Sequence, residues 1–341
     1  PMTKIAAAIL IALGVFARPA PGTAQPAEPF YKGKQIRYVV GTATGQEYDH
    51  WARLIARHMT RHIPGAPPII IENMPGAGHI IATNWLYNLA PRDGTVFGMV
   101  SRNMTDAAVM GIANVRFDPD KFNWLGSPEV SNRVMYVTRA SGMETVTDLF
   151  ERELIVGAPG GAQGVTAAPL LLKNLLGMKI RLVQGYKSPG EVVLAMARGE
   201  VGGLVSGIGG PENARAAQWV GGGSMRVLFN MEPERLPWIG VPTIFEYLKT
   251  EEQRAVFTFF ANNVLLGRPL MAPPGVPADR VDVLRRAFDA TMKDRAFLKE
   301  AETMGYEIAP KTGEQIAALV ADAIATPKDV VKKAERFGAA E

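Results

Sequence analysis

The sequence predicts an α/β protein of two doubly wound domains with a ligand cleft between them, and three observations lead there. Short apolar strands alternate with amphipathic helical segments from Lys34 onward, the order that builds a mainly parallel sheet covered by helices. At 341 residues the chain is long enough for two such units with cores of their own. The 35 glycines and 25 prolines fall largely at turns between strands and helices, where α/β proteins place their ligand sites.

Gln35 to Gly41 reads as a strand ending in glycine, and Thr42 to Tyr48 as a loop. A helix follows from about Asp49 to His62, with Trp51, Leu54, Ile55 and Met59 at helical spacing and Pro64-Gly65 as its stop. Ile69-Ile70-Ile71 is apolar on every side, as expected of a strand covered on both faces. Asn73 to Gly78 turns into a helix over roughly 79–89, and Asp93-Gly94 turns into a strand from Val96 to Val100. A second set begins at the strand Val134–Thr138 and continues with strands near 154–158, 181–186, 201–207 and 225–229. A last strand is expected over Asn263–Met271, then helices over about 278–304 and 313–325. The domain division expected is 31–137 with 268–341 as domain 1, and 138–267 as domain 2.

Composition narrows the function classes. Hydrophobic residues make up 47% and charged residues 21%, which is globular rather than disordered or membrane-embedded. The formal charge of +4 is scattered, without the clustered basic stripe of a nucleic-acid groove. Lys4 precedes an apolar run from Ile5 to Ala17, too short to span a bilayer and of signal-peptide length. Cleavage is expected after Ala24, with Ala17 as the alternative, making 1–24 a signal peptide and the protein periplasmic. Cys is absent, so neither disulfides nor a lipidated cysteine can form.

Three glycine-containing turns open onto helix starts, where free N–H groups and the positive helix end favour anions: Gly41 to Asp49, Gly157 to Thr166, and Gly185 to Glu191. In the first, Gly45 lets the backbone approach a ligand and Asp49 caps or orients the loop. Glu47 either contacts a ligand hydroxyl or amine or points to water. In the third, Ser188-Pro189-Gly190-Glu191 fits a capping box that engages Glu191 with backbone. Lys187 beside it is placed to meet a carboxylate or to stay solvated. The Gly160-Gly161-Ala162-Gln163-Gly164 run lacks the lysine and spacing of a nucleotide cradle. His58 and His62 have zinc-ligand spacing without a glutamate base and read as exposed helix-end histidines. Gly203-Leu204-Val205-Ser206-Gly207 places its serine one position off a nucleophile elbow. No catalytic set, metal site or cofactor is expected.

Taken in order, these segments form a recognisable pattern. Ile36-Arg37-Tyr38-Val39-Val40-Gly41, Asp49-His50-Trp51-Ala52-Arg53, Asn73 to Gly78, Tyr186-Lys187, Val241-Pro242-Thr243 before Glu246, and Leu270 to Pro277 carry it. The chain resembles the substrate-binding receptors of tripartite tricarboxylate transporters, the Bug family, from about Tyr31 to Phe337. The resemblance implies a type II periplasmic-binding-protein fold and a receptor that hands a small organic carboxylate to membrane permease subunits. It implies contacts from Thr42, Thr44, Gly45, Asp49, Ser101 and Asn103 on one side, and from Gly161, Gln163, Thr166, Tyr186 and Ser188 on the other. Two loops depart from the family pattern: Gly45-Gln46-Glu47-Tyr48-Asp49 lacks the usual glycine pair and small hydroxyl residue, and Ser188-Pro189 stands where another glycine pair is usual. The bulkier side chains point to a smaller ligand, or one bearing an amine or hydroxyl. A monomer is the expectation for a freely diffusing receptor. The alternatives are a sensory protein presenting a ligand to a membrane kinase and a secreted carboxylate-modifying hydrolase, which turnover would reveal.

Overall fold

The computed structural model describes residues 30–129, 132–159, 164–207, 214–237 and 239–338; the expected signal peptide lies outside them. The chain first builds β1 (Ile36–Val40), α1 (Glu47–Met59), β2 (Ile69–Asn73), α2 (Ile80–Asn88), β3 (Val96–Met99), α3 (Asn103–Val109) and β4 (Asn123–Ser127). It then enters a second lobe with β5 (Arg133–Thr138), α4 (Asp148–Glu151), β6 (Leu154–Pro159), α5 (Gly164–Asn174) and β7 (Ile180–Tyr186). That lobe continues with α6 (Pro189–Ala197), β8 (Gly203–Gly207), α7 (Ala214–Gly221), β9 (Met225–Asn230) and α8 (Glu251–Leu265). The return adds β10 (Leu270–Ala272), α9 (Ala278–Thr291), α10 (Arg295–Thr303), β11 (Lys311–Thr312), α11 (Gly313–Ala325) and α12 (Lys328–Gly338).

Two sheets result, ordered β11-β4-β10-β3-β1-β2 and β7-β6-β8-β5-β9. In the first, β1 runs parallel to both β2 and β3 while β10 enters antiparallel between β3 and β4. In the second, β6 runs parallel to β7 and β8, and β5 is antiparallel to β8 and β9. Side chains alternate between two cores in each sheet, as the period of a strand requires. Tyr38 and Val40 face Trp51, Phe97 and Phe288, whereas Val39 faces the opposite cluster with Leu86 and Trp124. Met135 and Val137 likewise face Leu171 and Phe257, while Val134 and Tyr136 pack with Val192 and Leu204. This is the two-lobed α/β fold that the periodicity predicts.

Four segments differ from the sequence reading. Asn263–Met271 is not one strand: Asn263, Asn262 and Leu265 finish α8, and only β10 is extended. Thr250 starts that helix by accepting the Gln253 N–H while Gln253 reaches back to the Thr250 N–H, so the first turn is satisfied before the apolar run begins. The long C-terminal helix is broken between α9 and α10, because Asp294 accepts from the Ala296 and Phe297 N–H groups and starts a new helix. The last helix packs away from domain 1: Val331 and Ala334 of α12 are buried in the core with Leu171 and Phe257 of the second lobe. Also, β5 lies wholly in the second sheet, so the first crossing falls between Ser127 and Arg133.

Candidate functional site

The loop after β1 is held from inside by Asp49. Its carboxylate is 1% exposed. One oxygen accepts from the Gly45 N–H and from Arg53 Nε, each at 2.9 Å, and the other accepts from Asn73 Nδ2 at 2.9 Å. Burial alone would push this carboxyl up, but the Arg53, Gly45 and Asn73 donors outweigh it and hold the group at about 2. The same Asn73 amide donates to the Thr42 carbonyl, and the Thr44 hydroxyl donates to Asn73 Oδ1 at 3.1 Å. Asp49 is thus the anchor of the loop rather than a free acid. Gly45 has φ +82, so the turn that brings its N–H to Asp49 favours glycine. The Thr42 hydroxyl is buried at the exit of β1 without a partner among the described residues.

Glu47 faces neither water alone nor an empty cleft: it ion-pairs with Arg268, which is 7% exposed and also lies 3.2 Å from Glu129. The guanidinium sits over the Tyr48 ring, 4.8 Å from its centroid. Its backbone N–H donates to Ser127 Oγ. Arg268 therefore ties the start of α1 to both chain segments that run between the lobes. Ser101 closes this side: its N–H donates to His79 Nδ1 at 3.1 Å, and its hydroxyl accepts from the Asn103 N–H at 3.2 Å. Burial and the Arg268 charge hold His79 down at about 4, so its ring is neutral at physiological pH and Nδ1 stays an acceptor. A Cβ on Gly41 would meet that Nδ1 at 2.3 Å, which explains the glycine there. His79 was not singled out in the sequence, although it directly follows the Asn73–Gly78 turn.

On the second lobe, Tyr186 ends β7 behind Gly185. Ser188 caps α6, accepting from the Glu191 N–H at 3.3 Å, with Pro189 at the first helical position. Glu191 accepts from the Lys187 N–H, one residue beyond the Ser188 N–H that a full capping box would engage. The Lys187 side chain is exposed. Thr166 lies on the first turn of α5, while Gly161 and Gln163 lie outside the described residues.

The largest feature that sequence reasoning missed lies between the lobes. Arg133, at the start of β5, is 3% exposed and lies opposite Gly207, the C-terminal end of β8. Its guanidinium rests over the Phe260 ring at 4.8 Å, close to the charges of Arg102, Glu232, Asp106 and the Tyr48 ring. Burial and the like charge of Arg102 bring Arg133 down to about 9. Burial raises Asp106 to about 7, against the pull of Arg133 and a 2.6 Å bond from Asn263 Nδ2. Burial likewise raises Glu232 to about 7, against a bond from the Arg133 N–H. Arg102 stands between Ser101 and Asn103, both of which the sequence pattern does single out.

Two enzyme-like signals dissolve in the structure. His58 is buried, not exposed: it bonds Glu300 at 2.6 Å in the body of α10, while His62, just beyond α1, bonds Asp294 at 2.9 Å at the start of α10. Among the described residues no cluster of three potential metal ligands occurs. Ser206 lies within β8, opposite Val134.

Comparison with known proteins agrees with this architecture. A UPF0065 protein of Bordetella bronchiseptica is 26% identical over 336 residues, covering 93% of this chain and 88% of its own. A TctC solute-binding protein from Polaromonas, solved without ligand, superposes with a TM-score of 0.68 at 18% identity, over 88% of this chain and 98% of that one. MatC from Rhodopseudomonas palustris, solved with bound malate, gives 0.60 at 23% identity, over 87% and 98%. The family model described as the tripartite tricarboxylate transporter family receptor matches residues 51–335, and the chain belongs to that family of solute-binding receptors.

Proposed function

We propose that this receptor captures a small organic carboxylate between its lobes in the periplasm and presents it, unaltered, to the permease subunits of a tripartite transporter. The observation that carries the reading is the meeting of two strand ends. Gly41 and Ser101, at the C-terminal exits of β1 and β3, belong to the lobe whose Tyr48 and Arg102 lie beside Arg133, and Arg133 borders the C-terminal end of β8. Ligands of open α/β sheets sit outside such strand ends. The malate held by MatC supports a carboxylate as the class.

The ligand contacts we propose are the loop 42–49 backbone as Asp49 shapes it, Thr42 and Ser101, and Tyr186 with Ser188 across the cleft. Gly161, Gln163 and Thr166 complete the set implied by the family pattern. Asp49 and Glu47 act by positioning this loop, since both carboxylates already have partners. The lobes divide as 31 to about 128 with 268 to about 327, against the intervening chain with α12. A binding constant near micromolar, about −8 kcal/mol, is within reach of a few charge-assisted bonds in a closing cleft. A thermal-shift screen of mono-, di- and aromatic carboxylates tests the reading: a binder raises the melting temperature in proportion to its saturation. Tyr186→Phe should weaken the hit. A panel without a single stabilising carboxylate would refute the carboxylate as the ligand class.

A further inference from the structure

We infer that Arg102 and Arg133 form a paired guanidinium seat that takes a carboxylate of the ligand directly, at the bottom of the seam between the lobes. The inference rests on the receptor reading above and names the groups that make its principal charged contact.

Three observations converge on the pair. First, Nη1 of Arg102 and Nη1 of Arg133 are both buried and both lack a hydrogen-bond acceptor among the described residues. Burying a guanidinium without acceptors is costly, and native interiors almost always supply them. Second, Arg102 lies near enough to Arg133 to disfavour the charged form of Arg133 in the empty protein. An anion between them reverses that sign for both at once. Third, the acids nearby do not satisfy the pair. Glu129, which the Arg102 charge also reaches, pairs with Arg268 instead. Asp106 accepts from Asn263, Glu232 accepts from the Arg133 backbone, and among the described residues neither makes an ion pair with either guanidinium. Both acids are raised to about 7 by burial, so at neutral pH they are only partly ionised and the seam keeps a positive balance.

The placement suits a ligand. Arg102 follows β3 on one lobe between Ser101 and Asn103, Arg133 opens β5 on the other, and Tyr48 at the start of α1 lies beside them. An anion seated here touches both lobes, so its binding favours the closed arrangement. Planar guanidinium forks are suited to carboxylates. The Phe260 ring beneath Arg133 fixes the orientation of one fork before the ligand arrives.

Isothermal titration calorimetry tests the pair, with malate, succinate, glutamate, adipate and benzoate as probes. The strongest binder of the wild-type protein is then titrated into Arg102→Gln and Arg133→Met, and the melting temperature of each empty protein is recorded. Loss of one charge-assisted contact predicts affinity about ten- to a hundredfold weaker. It also predicts a shallower dependence of affinity on salt, with the empty Arg102→Gln protein melting at or above the wild-type temperature because a like-charge contact is gone. Wild-type affinity in Arg102→Gln, or weakening only in step with a lower melting temperature of the empty protein, would overturn the seat while leaving the receptor reading intact. A wild-type protein that binds none of the probes overturns both.

Discussion

Asp49 and the pair Asp106 and Glu232 are acids taken out of water in one molecule, and their surroundings have opposite effects. Asp49 has three donors on two oxygens and is held at about 2. Among the described residues the Asp106 and Glu232 carboxylates each accept one hydrogen bond and Glu232 Oε2 is buried with no partner; burial raises both acids to about 7. The first arrangement is closed: nothing remains for a ligand to satisfy, and the acid serves to shape a loop. The second leaves donors and acceptors on both sides without partners, which a rigid scaffold has no reason to retain. The degree of polar satisfaction therefore separates the part of the cleft that positions from the part that receives.

The largest expected effect breaks the closed side. Asp49→Ala removes the one acceptor shared by the Gly45 N–H, Arg53 and the Asn73 amide, and should cost about 1–3 kcal/mol in denaturant unfolding as well as carboxylate binding. A variant as stable as the wild type would mean that Asp49 is not the anchor.

The open side has a signature in pH. In the folded protein Asp106 and Glu232 hold protons up to about pH 7, whereas in the unfolded chain they release them near 4. The native state then binds more protons across that window, so the stability of the empty protein falls as pH rises from about 4 to about 7. His79, held at about 4 against an ordinary 6.5, acts in the opposite direction below 6.5 and offsets only one of the two acids. Asp49 adds a separate loss of stability as pH falls below about 4 toward 2. Melting curves from pH 4.5 to 8 check the slope, and Asp106→Asn should flatten it.

Smaller effects sharpen the same contrast. Gly41→Ala forces a methyl group against His79 Nδ1 and should cost about 1–2 kcal/mol by displacing the ring that holds the Ser101 N–H. Lys187→Ala, at an exposed side chain beside the α6 cap, should change stability by less than about 0.5 kcal/mol, since the cap uses the backbone N–H of that residue. A larger destabilisation would show that the lysine side chain is engaged.

Much of the fold was legible because local signals agreed with it. The alternation in β1 and the cap at Ser188 are readable without any knowledge of what lies opposite. The end of α8 reads as the start of a strand because Asn263 to Met271 carries an apolar run that does not distinguish a helix end from a buried strand; the Thr250–Gln253 cap is the available clue to the helix. No local pattern tells which lobe an amphipathic helix such as α12 will cover. The site was legible as loops but not as a charge cluster. Arg102 and Arg133 lie on different lobes, and their exclusion from water and from acceptors appears only when β3 and β5 are brought together.

The most direct test is titration of the best carboxylate from the screen into the wild-type protein, followed by recovery of the ligand and its identification by NMR. One ligand bound per chain, returned chemically intact, is the predicted result. A ligand recovered in altered form, or no carboxylate bound at all, would contradict the account.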